Sequence, residues 1–202
     1  MKDLHFNQIK ASRVLIIGDV GAGKTALTAR LVEEAALQLG PDKVTVIDMA
    51  PERKRFKGFV IGGGIDIPLK KYPNLHLLKP SEKLHAPRIE ERTADRVLQL
   101  AVSNAAIIEK LLHQYVHDPT PVLFMNDVSI YLQAGNLNRL TETIILADTF
   151  VGNAYSGTVL EDDNRSGLSQ RERASLDSLK TIMDKVLALN STRMVRSLNE
   201  RS

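Results

Sequence analysis

The sequence predicts an α/β protein: a three-layer α/β/α sandwich with a mostly parallel central sheet. Three observations predict it. Strand-like and helix-like segments alternate along the chain. The apolar, β-branched run Val14-Leu15-Ile16-Ile17 leads through a glycine-rich turn into an amphipathic helix. A second apolar run, Val44-Thr45-Val46-Ile47, follows that helix. Strand, helix and strand in that order favour parallel strands joined by a right-handed crossover.

The elements follow in order. Residues 13–17 read as a buried strand. Residues 24–39 read as a helix, because Leu27, Leu31, Ala35 and Leu39 recur every fourth position with Val32 and Ala36 beside them. Gly40-Pro41 stops it. The second strand ends at Asp48. Residues 50–88 are broken by Pro68, Pro73, Pro80 and Pro87, with short strands expected at Phe59-Val60-Ile61 and over 75–78. A connection this long is expected to carry function, as an insertion or long loop. Residues 89–113 predict the longest helix, with Glu90, Glu91 and Asp95 favoured by the dipole at its start. Its buried stripe is Val97, Leu98, Ala101, Val102, Ala105, Ile108 and Leu112. After Asp118-Pro119-Thr120-Pro121, the run Val122-Leu123-Phe124-Met125 predicts another buried strand, ending in Asn126-Asp127. A shorter helix over 137–147, a last strand over 150–155 and a charged loop over 161–167 follow. The final helix opens with a capping box, Ser169-x-x-Glu172, and buries Leu176, Leu179, Ile182, Met183, Val186 and Leu187. No internal repeat is seen, and residues 1–202 are expected to form a single nucleotide-binding domain.

Composition narrows the function. Of 202 residues, 43% are hydrophobic, which supports a real core. Cysteine is absent, which excludes disulfides, thiolate metal sites and cysteine nucleophiles and fits a reducing cytosol. The first ten residues lack the apolar stretch of a secretory signal. No apolar run approaches the ~18 residues of a membrane span. A cytoplasmic protein with no membrane partner is the expectation. The net charge of +3 neither demands nor excludes nucleic acid. Basic residues gather at Arg53, Lys54, Arg55 and Lys57, and at Arg193, Arg196 and Arg201. Each cluster reads first as solvated surface and second as a contact for an anionic substrate or protein partner.

The chemistry lies in Gly18-Asp19-Val20-Gly21-Ala22-Gly23-Lys24-Thr25, which fits G-x-x-x-x-G-K-[ST]. Glycines permit positive φ and close approach of the backbone to phosphate. Successive N–H groups form an anion nest, and the helix that follows adds its positive end. Ala26 continues that first turn. Lys24 is placed to reach the β- and γ-phosphates, and Thr25 to put its hydroxyl on Mg²⁺. The strand before and the helix after are the context this motif requires.

On these residues the segment resembles the phosphate loop of the P-loop NTPase superfamily. The resemblance implies a three-layer fold, a nucleoside triphosphate and Mg²⁺ as ligands, and an acid at the end of a second core strand. Asp127 is the favoured acid, because its strand is the most apolar after the first; Asp48 is the alternative. Many ATPases of the superfamily read Asp-Glu there, whereas this chain reads Asn126-Asp127-Val128. If Asn126 aligns with the usual Asp, Asp127 becomes the base that activates water. If Asp127 serves the metal, no adjacent Glu exists. The guanine signature N-K-x-D is absent from the sequence, as is D-x-x-G after a core strand, which makes ATP a better ligand than GTP. The layout also loosely resembles the P-loop ATP:corrinoid adenosyltransferases, through Asp127-Val128-Ser129-Ile130-Tyr131 and Gly135; Ala26 departs from that family's second Thr.

Other features have plainer readings. Arg165, Arg171 and Arg173 are arginine-finger candidates, in cis or across a homodimer. His113 and His117 are spaced i,i+4 but lack a third ligand. Gly62-Gly63-Gly64 reads as a turn rather than a second phosphate loop, since no helix with Lys follows. Two functions fit: a Mg²⁺-dependent ATPase or phosphoryl-transfer enzyme, with Lys24 and Asp127 as catalytic residues, or a sensing or assembly module in which ATP orders residues 50–88 or drives dimerisation.

Overall fold

The computed structural model describes residues 4–190. The basic cluster at Arg193, Arg196 and Arg201 lies outside them. After a short 3₁₀ turn at Phe6–Gln8, strand β1 (Arg13–Gly18) leads into helix α1 (Lys24–Leu39) and, through a second 3₁₀ turn, strand β2 (Val44–Asp48). Strands β3 (Lys54–Phe56), β4 (Phe59–Ile61) and β5 (His76–Leu78) precede helices α2 (Pro87–Glu90) and α3 (Ala94–His117). Strand β6 (Val122–Asn126), helices α4 (Ser129–Leu132) and α5 (Leu137–Ile144), strand β7 (Thr149–Tyr155), helix α6 (Leu168–Lys180) and strand β8 (Lys185–Leu189) complete the order.

Six strands form one sheet in the order β5-β2-β6-β7-β1-β8. Every pairing in it is parallel, as the α/β reading requires. β1 alternates its side chains across the sheet, as period two dictates. Leu15 joins a core with α3, α4, α5 and α6 on one face. Val14 and Ile16 join a second core with α1 on the other, where Leu31, Val32 and Ala35 meet Phe6, Ile9 and Tyr72. These are the three layers. The fold is a three-layer α/β sandwich around a parallel sheet, and the carboxyl ends of β1, β2, β6 and β7 open toward one crevice.

The helix α1 begins and ends where the pattern places it. Gly40, at φ +99, closes it with an N–H donated to the Ala36 carbonyl at 3.1 Å. Elsewhere the structure corrects the pattern. The long helix starts at Ala94, not at residue 89. Pro87–Glu90 is a separate turn because the Glu90 carboxylate folds back to accept the Ala86 N–H at 2.8 Å and to meet His85 at 2.7 Å and Lys54 at 2.7 Å. The buried stripe of α3 is also rotated: Leu98 and Val102 are 38% and 61% exposed, while Asn104, Leu111 and Tyr115 are buried. Asn104 is buried because it clamps the His85 backbone, accepting its N–H at 2.9 Å and donating to its carbonyl at 2.9 Å.

The C-terminal reading changes most. β7 is not the last strand, since β8 pairs with β1 at the sheet edge. Val186 and Leu187 therefore belong to a strand rather than to the final helix. Ser169 and Glu172 form no capping box: Gly167 caps α6, and Glu172 points into the protein. Residues 50–88 contain a hairpin of β3 and β4, turned by Lys57 (φ +48) and Gly58 (φ +78). Two consecutive positive φ values at a two-residue hairpin turn suit the twist of its strands. No helix among the described residues is long and apolar enough to cross a membrane.

Candidate nucleotide site

β1 delivers the glycine-rich loop to the crevice. Gly18 lies against the β8 backbone, where a Cβ would collide with the Leu189 carbonyl. Gly21 and Gly23 adopt φ +72 and +87, the left-handed conformation that turns N–H groups inward. Gly23 caps α1, so the helix's free N–H groups point to the same place. Asp19 fastens the loop: its carboxylate accepts the Val20 N–H at 2.7 Å and the Thr158 N–H at 3.1 Å.

Lys24 donates from Nζ to the carbonyls of Gly18 at 2.8 Å and Asp19 at 3.0 Å. An ammonium has three N–H groups, so one remains for an anion. Burial pushes its pKa down, against the pull of Asp127 and Asp19. A half-buried cation whose hydrogen bonds go to carbonyls is suited to accept a phosphate's charge.

The metal side is a polar network built from four strand and helix ends. The Thr25 hydroxyl donates to Asn126 Oδ1 at 3.2 Å. The same oxygen accepts from Asn153 Nδ2 at 2.9 Å, and Asn153 also donates to the Thr28 hydroxyl at 2.9 Å. Asn126 Nδ2 donates to Asp48 Oδ1 at 2.8 Å. Asp48 Oδ2 accepts the Ile65 N–H at 3.0 Å and lies 3.7 Å from Lys79 Nζ. Gly64 packs so closely on this carboxylate that a Cβ would displace it, which gives the triple glycine a structural reason. Thus Asn126 touches Thr25, Asp48 stands behind Asn126, and Asp127 sits one step further along the chain.

Asp127 lines the crevice. Its φ is +59, and its N–H donates to Asn153 Oδ1 at 3.0 Å. Burial raises its pKa to about 7; Lys24 and Arg88 lower it, while Glu172 and Asp48 add to the rise. Such a carboxyl can hold or release a proton near neutrality.

The crevice encloses about 310 Å³ between the loop, the hairpin, α2 and α4. Val20, Ala22 and Ala26 line it with the loop glycines, Lys24 and Thr25; Asp48 and Asn126 stand behind this wall. Its far wall holds residues the sequence did not single out. Arg88 is buried, and pairs with Glu172 at 2.7 Å and with the Ser169 hydroxyl at 3.2 Å. Glu172 also accepts from Gln133 Nε2 at 2.9 Å; burial holds its pKa up, against Arg88. Tyr155 lies beneath Arg88, 5.5 Å from guanidinium carbon to ring centre, and burial pushes its phenol up to about 12. Asn153 was legible in principle, as a polar residue in a buried strand beside β1. Arg88 and Gln133 carry no local signal, and the one at Glu172, its spacing from Ser169, mimics a capping box that does not form.

The arginine-finger candidates lie elsewhere. Arg165 is exposed, Arg171 bonds the Ala134 carbonyl at 3.1 Å, and Arg173 reaches Glu161 at 3.3 Å; none lines the crevice. Of the basic run, Lys54 is tied to Glu90, and Arg53, Arg55 and Lys57 are exposed. Tyr131 donates to Glu109 and its ring packs against Gly135, so both residues serve the α4 turn. The His113 and His117 rings lie with centres 4.2 Å apart, tilted by 48°, and no group of three His, Cys, Asp or Glu residues that could hold a metal occurs among the described residues.

No protein-family model matches the chain. No curated protein matches it either. Solved structures do. The flagellar accessory protein FlaH from Methanocaldococcus jannaschii superposes with a TM-score of 0.50 at 11% identity, covering 89% of this chain and 71% of that one. Pif1 helicase from Candida albicans superposes with a TM-score of 0.39 at 12% identity, covering 89% and 36%. At such identities the likeness to FlaH bears on the fold alone, and the second match carries no argument.

Proposed function

We propose that this chain binds ATP with Mg²⁺ at residues 18–25 and acts on the γ-phosphate, by slow hydrolysis or by transfer. One observation carries the reading: a glycine nest with Gly21 and Gly23 at positive φ, capping α1, with the Lys24 ammonium folded into it against two carbonyls. Anions are what such a nest binds. ATP is preferred to GTP because no guanine signature accompanies the loop.

The donor set fits Mg²⁺, an octahedral ion that takes one or two protein oxygens beside phosphates and water. Thr25 and Asn126 Oδ1, 3.2 Å apart, supply those oxygens. Bound there, the ion would neutralise charge on the β- and γ-phosphates. The Asn126 amide is neutral, and its negative partner Asp48 lies 2.8 Å behind it. That weakens the hold on the metal relative to a direct carboxylate. Asp127 lines the crevice beside the loop, and we assign it as the base that takes a proton from the attacking group. Lys24 serves the β- and γ-phosphates.

The neutral Asn126 also favours a second reading, in which ATP binding and slow turnover hold an assembled state. Calorimetry with Mg·ATP tests the first claim. Wild-type protein is expected to bind, and Lys24→Ala to bind about 100-fold more weakly, since a charged hydrogen-bonding group to phosphate is lost (about 2.7 kcal/mol). Equal affinity of the two proteins would remove the phosphate-loop assignment. Turnover by wild-type and none by Asp127→Asn would favour the enzyme over the assembly module.

A further inference from the structure

The crevice has two halves of opposite chemistry. The loop half offers N–H donors and an ammonium, which suit phosphate oxygens. The far half offers Ile61, Ala86, Ile89, Ile130 and Leu160 as apolar walls. Among the buried polar side-chain atoms that face it, one has no hydrogen-bond partner. Glu172 fixes the Gln133 amide by accepting from Nε2, which leaves Oε1 as the free end. Gln133 is 1% exposed, lines the crevice, and its Oε1 has no hydrogen-bond partner. A buried acceptor without a donor costs about 1–3 kcal/mol. Phosphate oxygens are themselves acceptors and cannot satisfy it. A ligand hydroxyl can.

The charges agree. Arg88 and Glu172 pair at 2.7 Å, so the wall is close to neutral and the guanidinium disfavours a cationic guest. Asp127 lines the same crevice as Lys24 and these apolar walls.

We infer that the far half of the crevice is an acceptor subsite for a small, neutral, hydroxyl-bearing molecule with an apolar body, to which the γ-phosphoryl group is transferred. The inference rests on the proposed nucleotide reading and names its second substrate class. The acceptor hydroxyl donates to Gln133 Oε1 or Asp127 as it enters. Its oxygen then forms a bond to the γ-phosphorus while the bond from that phosphorus to the β,γ-bridging oxygen breaks. The hydroxyl proton goes to the Asp127 carboxylate, and ADP leaves with the bridging oxygen's electron pair. The products are ADP and a phosphate monoester. Once the acceptor fills this apolar compartment, it leaves no room for an attacking water, which favours transfer over hydrolysis.

The test uses benzyl alcohol as the probe on the full chain. In protein saturated with Mg·ADP, ¹³C-methyl NMR of Ile61, Ile89 and Ile130 is followed as benzyl alcohol is added. Saturable shifts at these three methyls, with low-millimolar affinity, are expected. Leu160→Trp, which fills the compartment from a half-buried position, is expected to keep ADP affinity within about twofold and to lose the shifts. Ala86→Trp is the second filling variant if the first does not fold. With Mg·ATP, ³¹P NMR is expected to show benzyl phosphate from wild-type and none from the filled variant. ADP binding without methyl shifts overturns this inference alone. So does competition between ADP and benzyl alcohol, which would place the nucleoside in the compartment, and so does inorganic phosphate as the sole product. Failure to bind ADP at all overturns the nucleotide reading and this inference with it.

Discussion

The two walls of the crevice are built in different ways. The phosphate wall is eight consecutive residues, shaped by two positive-φ glycines and the start of one helix. The far wall is drawn from α2, α4, the end of β7 and α6, held by Arg88, Gln133, Tyr155 and Glu172. Those residues are 84, 39 and 17 positions apart along the chain from Glu172 to Arg88, Gln133 and Tyr155 respectively. Phosphate binding needs backbone donors, and a short motif can supply them. A shaped compartment needs side chains from many elements, and only the fold brings those together.

Breaking the far wall should have the largest effect. Arg88→Ala leaves the Glu172 carboxylate buried beside Gln133 without its cation. Removing one partner of a buried pair costs about 3–5 kcal/mol. Chemical denaturation should show a loss of that size, with the hairpin and α2 loosened. The double substitution Arg88→Met with Glu172→Leu should recover most of it, because no charge is then stranded. If Arg88→Ala alone cost under ~1 kcal/mol, the pair would be solvated and the compartment open.

The same contrast explains what the sequence made legible. β1, α1, β2, β6 and the parallel sheet follow from apolar periodicity and from the stop at Gly40-Pro41. The loop's geometry follows from its own glycines. β8 did not follow, because Lys185-Val186-Leu187-Ala188-Leu189 suits a helix as well as a strand, and it is pairing with β1 that decides. Glu172 looked like a cap because Ser169 precedes it by three residues. It is instead consumed by Arg88, which no local pattern connects to it. Arg88 was hidden because the break after Glu90 depends on contacts with His85 and Lys54.

A smaller effect tests a carboxyl that lines the crevice. In the folded chain Asp127 titrates at about 7, well above the ~3.9 of an unfolded Asp. A raised acid costs stability above its folded pKa, and that cost fades as the pH falls toward the unfolded value. The groups facing it are Lys24, Arg88, Glu172 and Asp48. Asp127→Asn should therefore stabilise the nucleotide-free protein at pH 8, and the gain should shrink toward zero near pH 4. The full shift would be worth up to ~4 kcal/mol, and crevice water reduces the expected gain to about 1–2 kcal/mol. Asparagine also tolerates φ +59 better than most residues, in the same direction. Urea midpoints across that pH range, in the presence of a metal chelator, decide it. A destabilised Asn variant at pH 8 would mean that the Lys24 attraction outweighs burial.

The smallest effect concerns the helix that carries the far wall's support. The apolar pattern of α3 places Val97 and Val102 on one stripe, yet Val97 is buried and Val102 is 61% exposed. Their positions differ by five residues, about 500° of helical rotation, which leaves them some 140° apart. The stripe centres on Val97, Ala101, Asn104 and Ile108 because Asn104 must face His85 to hold α2 over the crevice. Val97→Ala should then cost about 1–2 kcal/mol, as a buried truncation does. Val102→Ala should stay within about 0.5 kcal/mol. Equal costs at the two positions would mean that α3 is rotated from the register described. Asn104 would then turn away from His85, and Arg88 would lose the turn that aims it at the crevice.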